Sequence, residues 1–142
     1  MTGHEVERRA LLNPVLLLLL AERQGHGYEL VQRLGAFGCA EAESAHVYRL
    51  LRGMESCGEV TSHWDASDSG PARRVYVITQ QGAMNLALWF VRLGELHGTL
   101  HLFLERYLQL DAIGGGDGFG PDADPGAARG PAYLDHMRRM RR

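Results

Sequence analysis

Apolar residues recur along this chain with two periods, three-to-four and two, and the changes of period divide it into elements. From Ser44 to Ser56, Val47, Leu50, Leu51 and Met54 return at spacings of three and four, which predicts a helix with one buried face. Its opposite face carries His46, Arg49, Arg52 and Ser56. Ser44 suits the N-cap, and Gly58 suits the left-handed residue that ends a helix. Val60 to Trp64 and Val75 to Thr79 then read as two strands, separated by the turn formers Asp-Ala-Ser-Asp-Ser-Gly-Pro. Arg73 and Arg74 stand where the hairpin tip rejoins the second strand.

Upstream, Leu11 to Ala21 is a helix with Pro14 in its first turn. Its apolar run from Val15 falls short of the roughly 20 residues a bilayer span needs. Arg8-Arg9 before the run resembles an export signal, but Glu22 and Arg23 follow without a small-x-small cleavage pattern. A helix apolar on every side is expected to be buried on every side, by its own domain and by a partner chain. Gln24 and Gly25 interrupt it, and His26 to Phe37 is the next predicted helix. In that helix Tyr28, Leu30, Val31 and Leu34 are expected to point inward, and Glu29 and Arg33 to face water. Gly35, Gly38 and small residues through Ala42 connect it to the Arg-faced helix, a slightly long link for a tight helix-turn-helix.

Beyond Gly82 the three-to-four period holds without a miss through Leu86, Trp89, Leu93, Leu96, Leu100, Phe103, Tyr107 and Leu110. Such a heptad seam predicts one long helix that packs against a second copy. Gly94 and Gly98 lower its intrinsic propensity by roughly 1 kcal/mol each and fit a close approach of helices or of a ligand. From Ala112 to Pro131 there are seven Gly, three Pro and three Asp, the composition of a disordered linker. The tail ends in Arg138-Arg139 and Arg141-Arg142, either solvated or an arm for phosphate contacts. The expected division is 1–10 flexible, 11–81 a winged helix-turn-helix domain, 82–111 a dimerisation helix, and 112–142 linker and tail. The fold class is mainly α with a small β-hairpin wing.

An Arg-faced helix beside an Arg-bearing hairpin is how a winged helix holds DNA, the helix in the major groove and the wing on the flanking backbone. Charge weighs against this. The 142 residues carry 15 arginines, no lysine and a formal net charge of −2, whereas basic nucleic-acid modules have a pI above roughly 9. DNA binding therefore has to rest on local placement, with Glu41, Glu43, Glu55 and Asp65 turned away from the duplex. Two cysteines make no disulfide framework and fit a reducing cytosol, so a cytoplasmic location is expected.

Three blocks in order resemble the PadR family of bacterial transcriptional regulators. These are His26-Gly27-Tyr28-Glu29-Leu30, Val47-Tyr48-Arg49-Leu50-Leu51, and Gly70-Pro71-Ala72-Arg73-Arg74-Val75-Tyr76 with Ile78-Thr79 and Gly82. The resemblance implies a homodimeric repressor on a double-stranded operator, with DNA contacts at Tyr28, Ser44, His46, Tyr48, Arg49, Arg52, Arg73 and Arg74. It further implies dimerisation through Leu86, Trp89, Leu93, Leu96, Leu100, Phe103 and Tyr107. Ala45-His46 replaces a pair that is commonly Gly-Thr, and Gly53 stands where many members have a basic residue. Tyr28 is near the DNA backbone by this resemblance, or simply a core aromatic with a wet hydroxyl. Trp89 either fills the seam or lines a pocket for a small aromatic or apolar effector. A looser similarity, through Trp89-Phe90, Phe103-Leu104 and Tyr107, is to the polyhydroxybutyrate-responsive repressor branch.

Other chemistry is sparse. His97, His101 and Glu105 have a spacing that can hold a metal, but no second helix offers matching ligands, and no metal or cofactor is expected. No catalytic constellation is apparent, and Gly116 to Gly120 follows no strand and opens no helix as a phosphate loop must. The alternative to a DNA-reading regulator is a winged-helix protein-interaction or storage-granule-associated adaptor, which the acidic balance would favour.

Overall fold

The computed structural model describes residues 9–39, 44–66 and 70–113. Its elements are α1 (Leu12–Glu22), β1 (Gly25–His26), α2 (Gly27–Leu34) with a 3-10 turn over Gly35–Phe37, α3 (Ser44–Ser56), β2 (Val60–Asp65), β3 (Arg73–Ile78) and α4 (Gln80–Ile113). The strands form an antiparallel sheet in the order β1-β3-β2. The fold is mainly helical with a small sheet and a long last helix, as the periodicity predicts. Two compact units follow one another, the first ending at His97 and the second beginning at Gly98.

The core of the first unit is built by α1, α2, α3, β2 and β3. Leu12, Leu16, Leu17 and Leu20 from α1 meet Leu30 and Leu34 from α2, Val47, Leu51 and Met54 from α3, and Val60 and Tyr76 from the sheet. The α3 residues are those picked out by the three-to-four spacing. One strip of α1 is not covered by its own domain: Leu18 is 37% exposed and Leu11 and Val15 are half-buried. Those three lie at i, i+4 and i+7, so one side of α1 lies open in the single chain. No helix among the described residues is long and apolar enough to cross a membrane.

The predicted helix from His26 to Phe37 needs three corrections. His26 belongs to β1, where Gly25 and His26 pair with Tyr76 and Val75 of β3. Tyr28 points outward, 64% exposed, because it lies about 200° around the helix from buried Leu30. Arg33 turns inward: its guanidinium donates to the Leu19 carbonyl at 2.7 Å and the Arg23 carbonyl at 3.3 Å, and pairs with Glu22 at 3.3 Å. It thereby satisfies carbonyls left open at the end of α1.

The junction between α3 and α4 is closely tied. Gly58, with φ 77°, ends α3 in the left-handed conformation, and the Glu59 N–H returns to the Met54 carbonyl at 2.9 Å. The Thr79 N–H donates to the Glu59 carbonyl at 3.1 Å, and its hydroxyl donates to the Gly58 carbonyl at 2.6 Å. The same hydroxyl accepts from the Gly82 N–H at 3.0 Å, capping α4. A Cβ on Gly82 would run into the Glu59 carbonyl, so this close approach needs glycine. Asn85 adds a bond to the buried Glu59 carboxylate at 3.3 Å.

Within the first unit, Leu86 and Trp89 of α4 pack against the core, while Met84, Leu88, Phe90 and Val91 are exposed. Within the second, Leu100, Leu102, Phe103, Tyr107 and Leu110 are exposed. The linker and tail expected over 112–142 lie almost wholly outside the described residues.

Candidate nucleic-acid interface

With Val47, Leu51 and Met54 claimed by the core, α3 presents Arg49, Arg52 and Ser56 to solvent. Ser44 is its first residue and is exposed, as is Ala45, while His46 is half-buried. Tyr48 is half-buried because its ring lies over Gly27, where any Cβ would collide with it. This explains the glycine between His26 and Tyr28: it lets α3 approach the start of α2.

Antiparallel pairing of β1 with β3 brings that start beside the wing. The outcome is an open cleft of about 380 Å³ lined by His26, Gly27, Tyr28, Tyr48, Arg73 and Arg74. The three sequence blocks thus converge on one surface. The lining combines two cations, two phenols and the N-terminus of a helix, a set suited to an oxyanion such as a backbone phosphate.

Arginine pairing distinguishes this face from the end of α1. Arg23 pairs with Glu29 at 3.1 Å and Arg33 with Glu22 at 3.3 Å, both around the end of α1. Arg49, Arg52 and Arg73 are exposed and carry no ion pair among the described residues. Arg74 differs from its neighbour. Its guanidinium pairs with Glu55 at 3.3 Å, donates from Nε to the Ser62 hydroxyl at 2.7 Å, and lies 5.9 Å from the Trp64 ring centre. Ser62 in turn donates to Glu55 at 2.6 Å. Tyr76, buried beneath this cluster, has its phenol pKa raised by burial, with the positive charge of Arg74 opposing the shift.

These contacts bear on the acidic residues of the region. Glu55 is not turned away; it is neutralised in place by Arg74. Asp65 is exposed opposite Arg73 in the strand register, and Glu41 and Glu43 lie outside the described residues. Trp64, 68% exposed at the wing, has no counterpart among the residues expected to contact DNA. Strand alternation was the available signal: Val60 and Ser62 share its face, and that face leaves the core towards the tip.

The seam residues divide by depth. Leu86, Trp89 and Leu93 are half-buried, and the Arg92 guanidinium lies 5.9 Å from the Trp89 ring centre. Leu96, Leu100, Phe103 and Tyr107 are about half exposed or more. His101 Nε2 lies 3.4 Å from Glu105 Oε1, and no group of three metal-type ligands comes together among the described residues.

No curated protein matches the chain. Among solved structures, a PadR-like transcriptional regulator from Bacillus cereus is 26% identical with a TM-score of 0.62, covering 68% of this chain and 93% of its own. A PadR family transcriptional regulator from Eggerthella lenta is 30% identical with a TM-score of 0.57, covering 69% of this chain and 85% of its own. A conserved protein described as a potential transcriptional factor is 33% identical with a TM-score of 0.61, covering 70% and 89%. The model of the transcriptional regulator PadR-like family matches residues 16–88, from the buried leucines of α1 through the wing to the start of α4. The chain belongs to the PadR-like family of transcriptional regulators.

Proposed function

We propose that this protein is a homodimeric, cytoplasmic repressor that binds a palindromic double-stranded operator and is released by a small aromatic or apolar effector at the dimer helices. The observation that carries the DNA surface is the trio Arg49, Arg52 and Arg73, exposed and without ion pairs on one face of a unit whose Arg23, Arg33 and Arg74 are paired. Arg49 and Arg52 enter the major groove, with Ser44 and His46 at the leading end of the same helix. Tyr28, Tyr48 and Arg73 hold the flanking phosphates, while Arg74 beside them is engaged by Glu55. An acidic chain can bind DNA this way because the potential that matters is local, within a Debye length of about 8–10 Å. Footprinting the purified chain on the region upstream of its own gene tests this reading. Two protected half-sites separated by about 34 Å of helix, or a multiple, are expected. An unprotected duplex at protein concentrations well above micromolar would favour the adaptor instead.

Exposed apolar residues along α4 support dimerisation, and Trp89 supports effector binding there. Half-buried at the edge of the core, Trp89 couples α4 to the winged unit that carries the operator face. An effector changes operator affinity only through unequal binding to the two states. Trp89→Phe is expected to remain dimeric and operator-bound while losing release by the effector. Unaltered release in this variant would move the sensor elsewhere.

A further inference from the structure

Glu55, Ser62 and Arg74 close a small ring of polar contacts that joins three elements. The Ser62 hydroxyl donates to one Glu55 oxygen at 2.6 Å and accepts from Arg74 Nε at 2.7 Å, and Arg74 reaches the other Glu55 oxygen at 3.3 Å. Both carboxylate oxygens and two edges of the guanidinium are thereby occupied, and Trp64 lies 5.9 Å from the guanidinium. Glu55 belongs to α3, Ser62 and Trp64 to β2, and Arg74 to β3, so the ring ties the recognition helix to the root of the wing. The Glu55 and Arg74 side chains are 29% and 42% exposed, and pairs this wet contribute little to stability. The placement of a carboxylate here, on the surface that faces a polyanion, calls for another reason.

We infer that Glu55 is a specificity-determining positioning residue: it cancels the charge of Arg74 and fixes the wing, lowering affinity for arbitrary DNA relative to the operator. This rests on the DNA-binding reading above. Non-specific binding is governed by the number of phosphates that cationic side chains neutralise, whereas operator recognition also needs helix and wing held in fixed register. An unpaired Arg74 would add one phosphate contact on any sequence. A paired one leaves Arg49, Arg52 and Arg73 as the uncompensated cations and locks the angle between the two reading elements.

The test uses the full-length chain, the duplex identified by footprinting, and a duplex of scrambled sequence, titrated across a salt series. Glu55→Gln keeps the shape of the side chain and a hydrogen bond to Ser62 while removing the charge. It is expected to bind the scrambled duplex several-fold more tightly than wild type, with the log–log salt slope steeper by about 0.9. The preference for the operator falls accordingly. The double variant Glu55→Gln/Arg74→Gln, with charge again balanced but the tie broken, is expected to return the slope to wild type while the operator preference stays low. Circular dichroism of each variant accompanies the titrations. If Glu55→Gln is folded and leaves slope and preference unchanged, or weakens both duplexes equally, the inference is overturned and the DNA-binding reading stands. If the wild-type chain binds neither duplex, both fall together.

Discussion

Leu100→Asp is expected to convert the proposed dimer into monomers. Leu100 lies in the heptad register on α4 and is 51% exposed, so nothing among the described residues fully covers it. Removing a buried leucine costs about 2–5 kcal/mol at each site, and two-fold pairing doubles the number of sites. An unpaired carboxylate adds desolvation to the loss of packing. The dimer dissociation constant should rise at least about a thousandfold, read by sedimentation across a concentration series. The first unit ends before Leu100, so its circular dichroism and thermal transition are expected to survive in part. Operator affinity should collapse because two half-sites are no longer bound together. A wild-type chain that sediments as a monomer at micromolar concentration would show that the apolar face of α4 serves something else.

The second large effect is expected at the recognition helix. Arg49→Ala should weaken operator binding by about 1–3 kcal/mol if its guanidinium meets a guanine edge, and should relax preference at one base position per half-site. Arg73→Ala should weaken every duplex alike and flatten the salt slope by about 0.9, the signature of one lost phosphate contact. The contrast separates reading from holding. Operator affinity unchanged in the Arg49→Ala/Arg52→Ala double variant would remove α3 from the DNA surface.

The helices and hairpin were legible because each has a long stretch with one period. Val47, Leu51 and Met54 declare the buried side of α3, and the alternation around Val60 and Tyr76 declares the sheet. Gly58 was legible as a helix stop because few residues tolerate its positive φ. What escaped were short elements and long-range polar pairs. Gly25 and His26 form a strand of two residues, too short to show any alternation, and exist as a strand only because β3 lies beside them. Arg33 looked like a solvated charge because its partners, the Leu19 and Arg23 carbonyls, are backbone atoms that no side-chain pattern advertises. Arg74 and Glu55 are nineteen positions apart, so their cancellation could not be read from a local count of acids and bases. The single seam drawn along α4 also understated that helix: Met84, Leu88 and Val91, again at four and three, mark a second exposed apolar strip.

The knot at Thr79 has a mechanical consequence. Five hydrogen bonds through one residue, with Gly82 against the Glu59 carbonyl, leave little room for bending between the end of α3 and the start of α4. The start of α4 and the recognition helix therefore turn together, as arms of one crank. α3 has 13 residues and is about 20 Å long, so a tilt of a few degrees at the knot sweeps its far end, near Ser44, by more than an ångström. A displacement of that order is enough to pull a side chain out of hydrogen-bonding distance of a base edge. A force applied to the first turns of α4 thus reaches the far end of the recognition helix enlarged by leverage, without a hinge at the junction.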